Sequence, residues 1–150
     1  MSNSPAILET ARARAAQMGL PYSGALLPQE AFELWQTLPG TQLVDVRTRA
    51  EWDWVGRIPA SVEIEWLSYP DNRPNSGFVQ QLQQRVDAGA PVLFICRSGG
   101  RSHNAAMLAM QAGYSNCYNV LEGFEGDRDP QGHRNTVGGW RAAGLPWIQG

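Results

Sequence analysis

The sequence contains no lysine; all twelve of its cations are arginine. This excludes Schiff-base or pyridoxal chemistry, a Gly-Lys-Ser/Thr phosphate loop and a Ser-Lys hydrolase, each of which needs an ammonium side chain. Arginine, alanine, glycine and proline are abundant throughout, so compositional bias accounts for the absence. Any anion chemistry must then use guanidinium groups and backbone amides. Cysteine and histidine are nearly as scarce, with Cys96, Cys117, His103 and His133 the full set. They are too few and too scattered for a zinc cluster, so no metal is expected. Unpaired thiols suit a reducing compartment. The N-terminal apolar stretch lacks a basic start and is interrupted by Glu9, Arg12 and Arg14, unlike a secretory signal. No apolar run approaches the ~18 residues of a membrane span. A cytoplasmic location is therefore expected, with no membrane partner. The net charge of −2 offers no broad basic field for nucleic acid.

What is present describes an ordinary globular chain. A length of 150 residues fits one domain, able to bury about 68–70% of its unfolded surface without disulfide or metal. Six tryptophans are many for this size and suit core and rim packing. Ser4-Pro5 reads as an N-cap with proline at the first helical position, and Ile7, Ala11, Ala15 and Met18 recur at helical spacing until Gly19. This gives a leader helix within residues 1–21, ahead of a domain spanning 22–150. An extended piece covers 22–27, and Pro28 opens a helix with Ala31, Phe32, Trp35 and Leu38 on one face.

Further along, residues 42–46 read as a buried strand. Thr48 to Glu51 has the form of a capping box for a short helix ended by Gly56. A short strand over 61–64, a loop over 70–77 and a helix marked by Val79, Leu82 and Val86 follow. Residues 92–95 are the most apolar and β-branched stretch, hence a central strand running directly into Cys96. After Arg97-Ser-Gly-Gly-Arg101, residues 102–112 read as helix and 117–121 as strand. Residues 122–139 are too long and polar for an ordinary connection and, with Trp140, read as a mobile wall near the site or as a solvated surface excursion; residues 140–143 suit a last helical turn. Strands alternating with helices indicate an α/β domain with a mostly parallel sheet covered on both faces.

In such sheets the ligand crevice lies at the carboxyl ends of the strands, where Cys96 stands. Gly99-Gly100 lets the backbone curl so that several N–H groups converge ahead of a helix N-terminus. Such amides favour thiolate over thiol and mark Cys96 as a nucleophile. Cys117, inside an apolar strand with no such loop, reads as inert. Asp127-Arg-Asp129 has the outline of a calcium loop but lacks its closing Glu.

Cys96-Arg-Ser-Gly-Gly-Arg-Ser102 resembles the active-site loop of rhodanese-family sulfurtransferases. Asp45-Val-Arg47, Glu51-Trp52, Gly56-Arg-Ile-Pro59 and the pair Gly139-Trp140 with Ala143-Gly-Leu-Pro146 are similar, in order, to further signatures of that family. The resemblance spans about Pro28 to Trp147. It implies a three-layer rhodanese-like fold with a mostly parallel sheet of about five strands flanked by helices. Arg57 stands where the family has His, which bears on the rim of the site. Ala60 and Glu122 replace usual glycines, which bears on turns.

The resemblance also implies two-step transfer of a sulfane sulfur. Cys96 takes it from thiosulfate or a persulfide donor and passes it to a thiol, a protein acceptor or cyanide, with no cofactor beyond the covalent persulfide. The loop amides of Arg97, Ser98, Gly99, Gly100, Arg101 and Ser102 would stabilise charge, and Arg97 would orient the anionic donor. Arg101 would anchor the loop to a carboxylate, Asp45 or Glu51. Asp45 and Arg47 read as a scaffold pair, and Glu51 has a cap role available. A non-catalytic binding module is an alternative. A phosphatase or arsenate reductase, which needs five residues between Cys and Arg, fits less well, since four separate Cys96 from Arg101.

Overall fold

The computed structural model describes residues 3–149. The elements run α1 (Ser4–Met18), β1 (Gly24–Leu26), α2 (Pro28–Thr37), β2 (Gln42–Asp45), α3 (Arg49–Trp54), β3 (Val62–Glu63), β4 (Leu67–Ser68), β5 (Arg73–Pro74), α4 (Phe78–Arg85), β6 (Val92–Ile95), α5 (Gly100–Gln111) and β7 (Cys117–Val120). Five strands form one sheet in the order β1-β7-β6-β2-β3, each pairing parallel. This is the expected three-layer α/β architecture.

The most apolar strand takes the middle place because a parallel sheet is covered on both faces, and all four residues of β6 are buried. Strand alternation then sorts the core. Leu93 and Ile95 join Ala11, Leu26, Ala31, Leu34 and Tyr118 under α1 and α2. Phe94 and Cys96 join Phe78, Leu82, Ala105 and Ala109 under α4 and α5. On β7 the same parity places Cys117 on the α5 side, and Asn119 therefore faces α5 as well.

Several elements differ from expectation for local reasons. Ser4 is not a capping residue: Asn3 occupies the cap without a side-chain bond, and Ser4 Oγ hydrogen-bonds Thr37 Oγ1 at 2.8 Å, tying α1 to α2. The extended piece before α2 is a strand of the main sheet, pairing Ala25 with Asn119. The segment read as loop contains β5, which pairs antiparallel with β4 just ahead of it; these two-residue strands are too short to show a period. Helix α5 starts at Gly100, two residues early, because Gly99 at φ +116° supplies the turn into it.

Two of the usual-glycine positions carry backbone consequences. Ala60 has φ +69° and Glu122 φ +69°, a region that disfavours side chains. Ala60→Gly is expected to stabilise the fold by about 1 kcal/mol, read as a higher denaturation midpoint in urea. An unchanged or lower midpoint would contradict the strain argument. Among the described residues, no helix is long and apolar enough to cross a membrane.

Candidate active site

Cys96 follows β6 directly and is 1% exposed. Its Sγ accepts the Gly99 N–H at 3.1 Å and lies 3.2 Å from Ser102 Oγ. The expectation that several loop amides converge on the sulfur is met at Sγ by Gly99 alone, because the early start of α5 draws the later residues into its first turn. His103 N is the first amide of α5 to bond back, to Gly99 O. The N–H groups of Gly100, Arg101 and Ser102 thus form the turn that a helix leaves without internal acceptors. Ser98 is half-buried between them and Cys96.

Behind Ser102 lies a polar chain that sequence reading missed. Ser102 Oγ donates to Asn119 Oδ1 at 2.6 Å, and Asn119 Nδ2 donates to Gly99 O at 3.2 Å and Tyr22 Oη at 3.3 Å. Tyr22 Oη in turn hydrogen-bonds His103 Nδ1 at 2.8 Å. Gly99 O can only accept, which fixes the Asn119 amide with its oxygen toward Ser102. The available signal was the polar Asn119 inside an otherwise apolar strand.

Gly123 holds the loop from the other side. Phe124 N donates to Cys96 O at 2.8 Å and Glu125 N to Arg97 O at 3.0 Å. A Cβ on Gly123 would sit 2.5 Å from Cys96 O, so the glycine permits this close backbone crossing.

Of the two carboxylates considered for Arg101, Glu51 is its partner, through Nη1–Oε1 at 2.7 Å and Nη2–Oε2 at 3.0 Å. Glu51 also caps α3, accepting from Thr48 N at 3.0 Å. Burial pushes the Glu51 carboxyl up, but the Arg101 guanidinium, aided by the Thr48 amide and the Arg47 charge, outweighs it and holds the group at about 2, below the ordinary 4.5. Burial likewise pulls Arg101 down, and Glu51 more than reverses it, leaving a net rise. A depressed carboxylate stabilises the fold fully above its unfolded value, and the contribution fades as pH falls from about 4.5 toward 2. The linked stability is on the order of 3 kcal/mol. Glu51→Gln is expected to lower stability at neutral pH by about 2–3 kcal/mol and to flatten the acid limb, measured by urea unfolding at several pH values. An acid limb as steep as in the parent chain would contradict it.

Asp45 and Arg47 form a separate, fully buried pair, Nη2–Oδ2 2.7 Å. Arg47 also donates to Gly56 O at 2.8 Å and stacks on Phe124 with its guanidinium carbon 4.1 Å from the ring centroid. The pair ties β2 to the segment that supports the loop. Burial pushes the Cys117 thiol up to about 12, which keeps it protonated.

A cleft of about 580 Å³ opens beside the loop, lined among others by Arg97 and Arg101 and by Trp54, Val55, Leu67 and Tyr69. Two expectations about its surroundings are corrected. Arg57 does not reach it, because Asp53 and Glu63 hold the guanidinium, each at 3.1 Å. Trp140 is not a wall of the site: it is fully buried, edge-on to Phe32 at 5.8 Å, and its Nε1 donates to Pro146 O at 2.8 Å. Of the long polar segment, Glu125 reaches the cleft.

The comparisons agree with this fold. The model of the rhodanese-like domain matches residues 29–129, and the chain belongs to that family. The crystal structure of Rv0390 from M. tuberculosis is 44% identical, with a TM-score of 0.80, covering 86% of this chain and 99% of its own. The RC0915 protein of Rickettsia conorii is 35% identical over 121 residues, 79% of this chain and 91% of that one. More distantly, the thiosulfate sulfurtransferase GlpE of Haemophilus influenzae is 27% identical over 104 residues, 67% of this chain and 84% of that one. The protein is thus a rhodanese-like domain with distant sulfurtransferase relatives.

Proposed function

We propose that the protein is a sulfurtransferase that moves a sulfane sulfur from thiosulfate or a persulfide donor to a thiol acceptor through a persulfide on Cys96. The carrying observation is a cysteine at the end of the central strand, with Gly99 N–H on its sulfur and the N-terminus of α5, whose first-turn amides have no internal acceptor, following within four residues. In the first step the Cys96 thiolate attacks the outer sulfur of thiosulfate. A Cys96 S–S bond forms, the thiosulfate S–S bond breaks, and its electron pair leaves with sulfite. The negative charge then rests on a sulfur about 2 Å beyond Sγ, where oriented amides stabilise it. Ser102 has one hydroxyl proton and two neighbours, Sγ and Asn119 Oδ1, so rotation can direct it to either.

Arg101, fixed on Glu51, holds the end of the turn. Arg97 is exposed, and among the described residues it pairs with no carboxylate; this leaves its charge for an anionic donor. Asp45 and Arg47 are scaffold, and no cofactor enters the scheme. The reading requires thiocyanate from thiosulfate plus cyanide, and no turnover of a phosphate monoester such as p-nitrophenyl phosphate. Phosphate release without thiocyanate would favour the phosphatase reading, and absence of both would favour a binding module.

A further inference from the structure

The cleft beside the loop is much larger than a compact inorganic donor or cyanide needs. At about 580 Å³ it falls within the usual range of small-molecule sites, roughly 300–1,000 Å³. Its outer wall is aromatic. Trp54 is 68% exposed and Tyr69 59%, and the rings meet edge to face with centroids 5.8 Å apart. They come from different elements, the end of α3 and the turn between β4 and β5, and Val55 and Leu67 extend the apolar surface. Two aromatic side chains held together in water beside a concave site gain from covering by carbon.

The same cleft carries one uncompensated cation. Arg101 is neutralised by Glu51, and Glu125 lies 4.0 Å from Arg141. Arg97 alone among the cleft arginines has no carboxylate partner among the described residues. A hydrated inorganic dianion would use Arg97 but gain nothing from Trp54 and Tyr69. A neutral thiol would use the wall but not Arg97. Resting on the sulfurtransferase reading, we infer that the cleft selects as sulfur acceptor a small organic thiol carrying a carboxylate. Trp54 and Tyr69 cover its carbon skeleton, and Arg97 receives its carboxylate once sulfite has left.

In this second step the acceptor thiolate attacks the outer sulfur of the Cys96 persulfide. A new S–S bond forms to the acceptor, the bond to Sγ breaks, and its electron pair returns to Cys96 as thiolate. The acceptor leaves as a persulfide carrying the transferred sulfur. The step exchanges one S–S bond for another and needs no outside oxidant or reductant.

The test is acceptor kinetics with thiosulfate as donor, using 4-mercaptobenzoate, 3-mercaptopropionate, 2-mercaptoethanol and cyanide. The carboxylate of 3-mercaptopropionate is expected to lower KM about tenfold relative to 2-mercaptoethanol, a preference lost in Arg97→Gln. Trp54→Ala should raise KM for 4-mercaptobenzoate about tenfold, Trp54→Phe should largely restore it, and cyanide turnover should stay within about twofold of the parent. Equal KM values for charged and neutral thiols, or an unchanged 4-mercaptobenzoate KM in Trp54→Ala, would overturn the inference while leaving sulfur transfer to cyanide intact. Absence of cyanide turnover in the parent chain would instead remove the sulfurtransferase reading and this inference with it.

Discussion

Cys96→Ala is expected to abolish thiocyanate formation, a loss of at least about 10⁴-fold, while Cys117→Ala keeps it within about twofold. The two thiols lie on the same side of the sheet but in opposite surroundings. Cys96 sits where β6 ends, with an amide and a hydroxyl on its sulfur. Cys117 begins β7, is fully buried, and has its thiol pushed up to about 12. At neutral pH the second is a small apolar side chain, and truncating it should cost about 1 kcal/mol of stability. Steady-state thiocyanate assays on both variants, with circular dichroism as a check of folding, decide the point. Residual turnover in Cys96→Ala, or its loss in a folded Cys117→Ala, would place the nucleophile elsewhere.

Gly123→Ala should be strongly damaging although it lies outside the loop. Two penalties coincide at this position. Its φ of +65° disfavours any side chain, and an added Cβ would meet Cys96 O at 2.5 Å and the Arg97 carbonyl carbon at 2.6 Å. The contacts are with backbone, so relief requires moving Cys96 and Arg97 themselves. That displacement would also weaken the Phe124 N–Cys96 O and Glu125 N–Arg97 O bonds. The expected cost is about 2–4 kcal/mol of stability and about 100-fold in kcat, since a shift near 1 Å at the reacting atom has that effect. Gly132→Ala is the control: φ is +82° there too, but a Cβ meets nothing within 4 Å. It should lose only about 1 kcal/mol and keep its activity. Parent-level kcat in Gly123→Ala would show that the crossing does not set the loop position.

The contrast between these sites shows what could be read from sequence. The apolar runs of β2, β6 and β7, the Thr48-to-Glu51 cap and the turn after Cys96 are local patterns, and a buried parallel strand or a helix cap writes itself into adjacent residues. Parity along β6 then sends Cys96 to the α5 face. The missing features depend on residues distant in the chain. Gly123 matters because it crosses Cys96, and Asn119 because it meets Ser102 from a neighbouring strand, with Tyr22 supplied from ahead of β1. Strand β1 is three residues long, and its pairing with β7 defines it. Arg101 had two carboxylates within reach of the motif, and the three-dimensional placement of α3 selects Glu51. Trp140 looked available for a site wall because its segment is polar and glycine-rich, yet Phe32 and Trp35 of α2 draw it into the core.

The claim that Cys96 carries sulfur is tested most directly by the intact mass of the protein after incubation with thiosulfate and removal of excess reagent. The account predicts an increase of roughly 32 Da that maps to the peptide containing Cys96. It should disappear on adding cyanide, be absent in Cys96→Ala and persist in Cys117→Ala. No increase with thiosulfate or with a persulfide donor, or an increase that maps to Cys117, would contradict it.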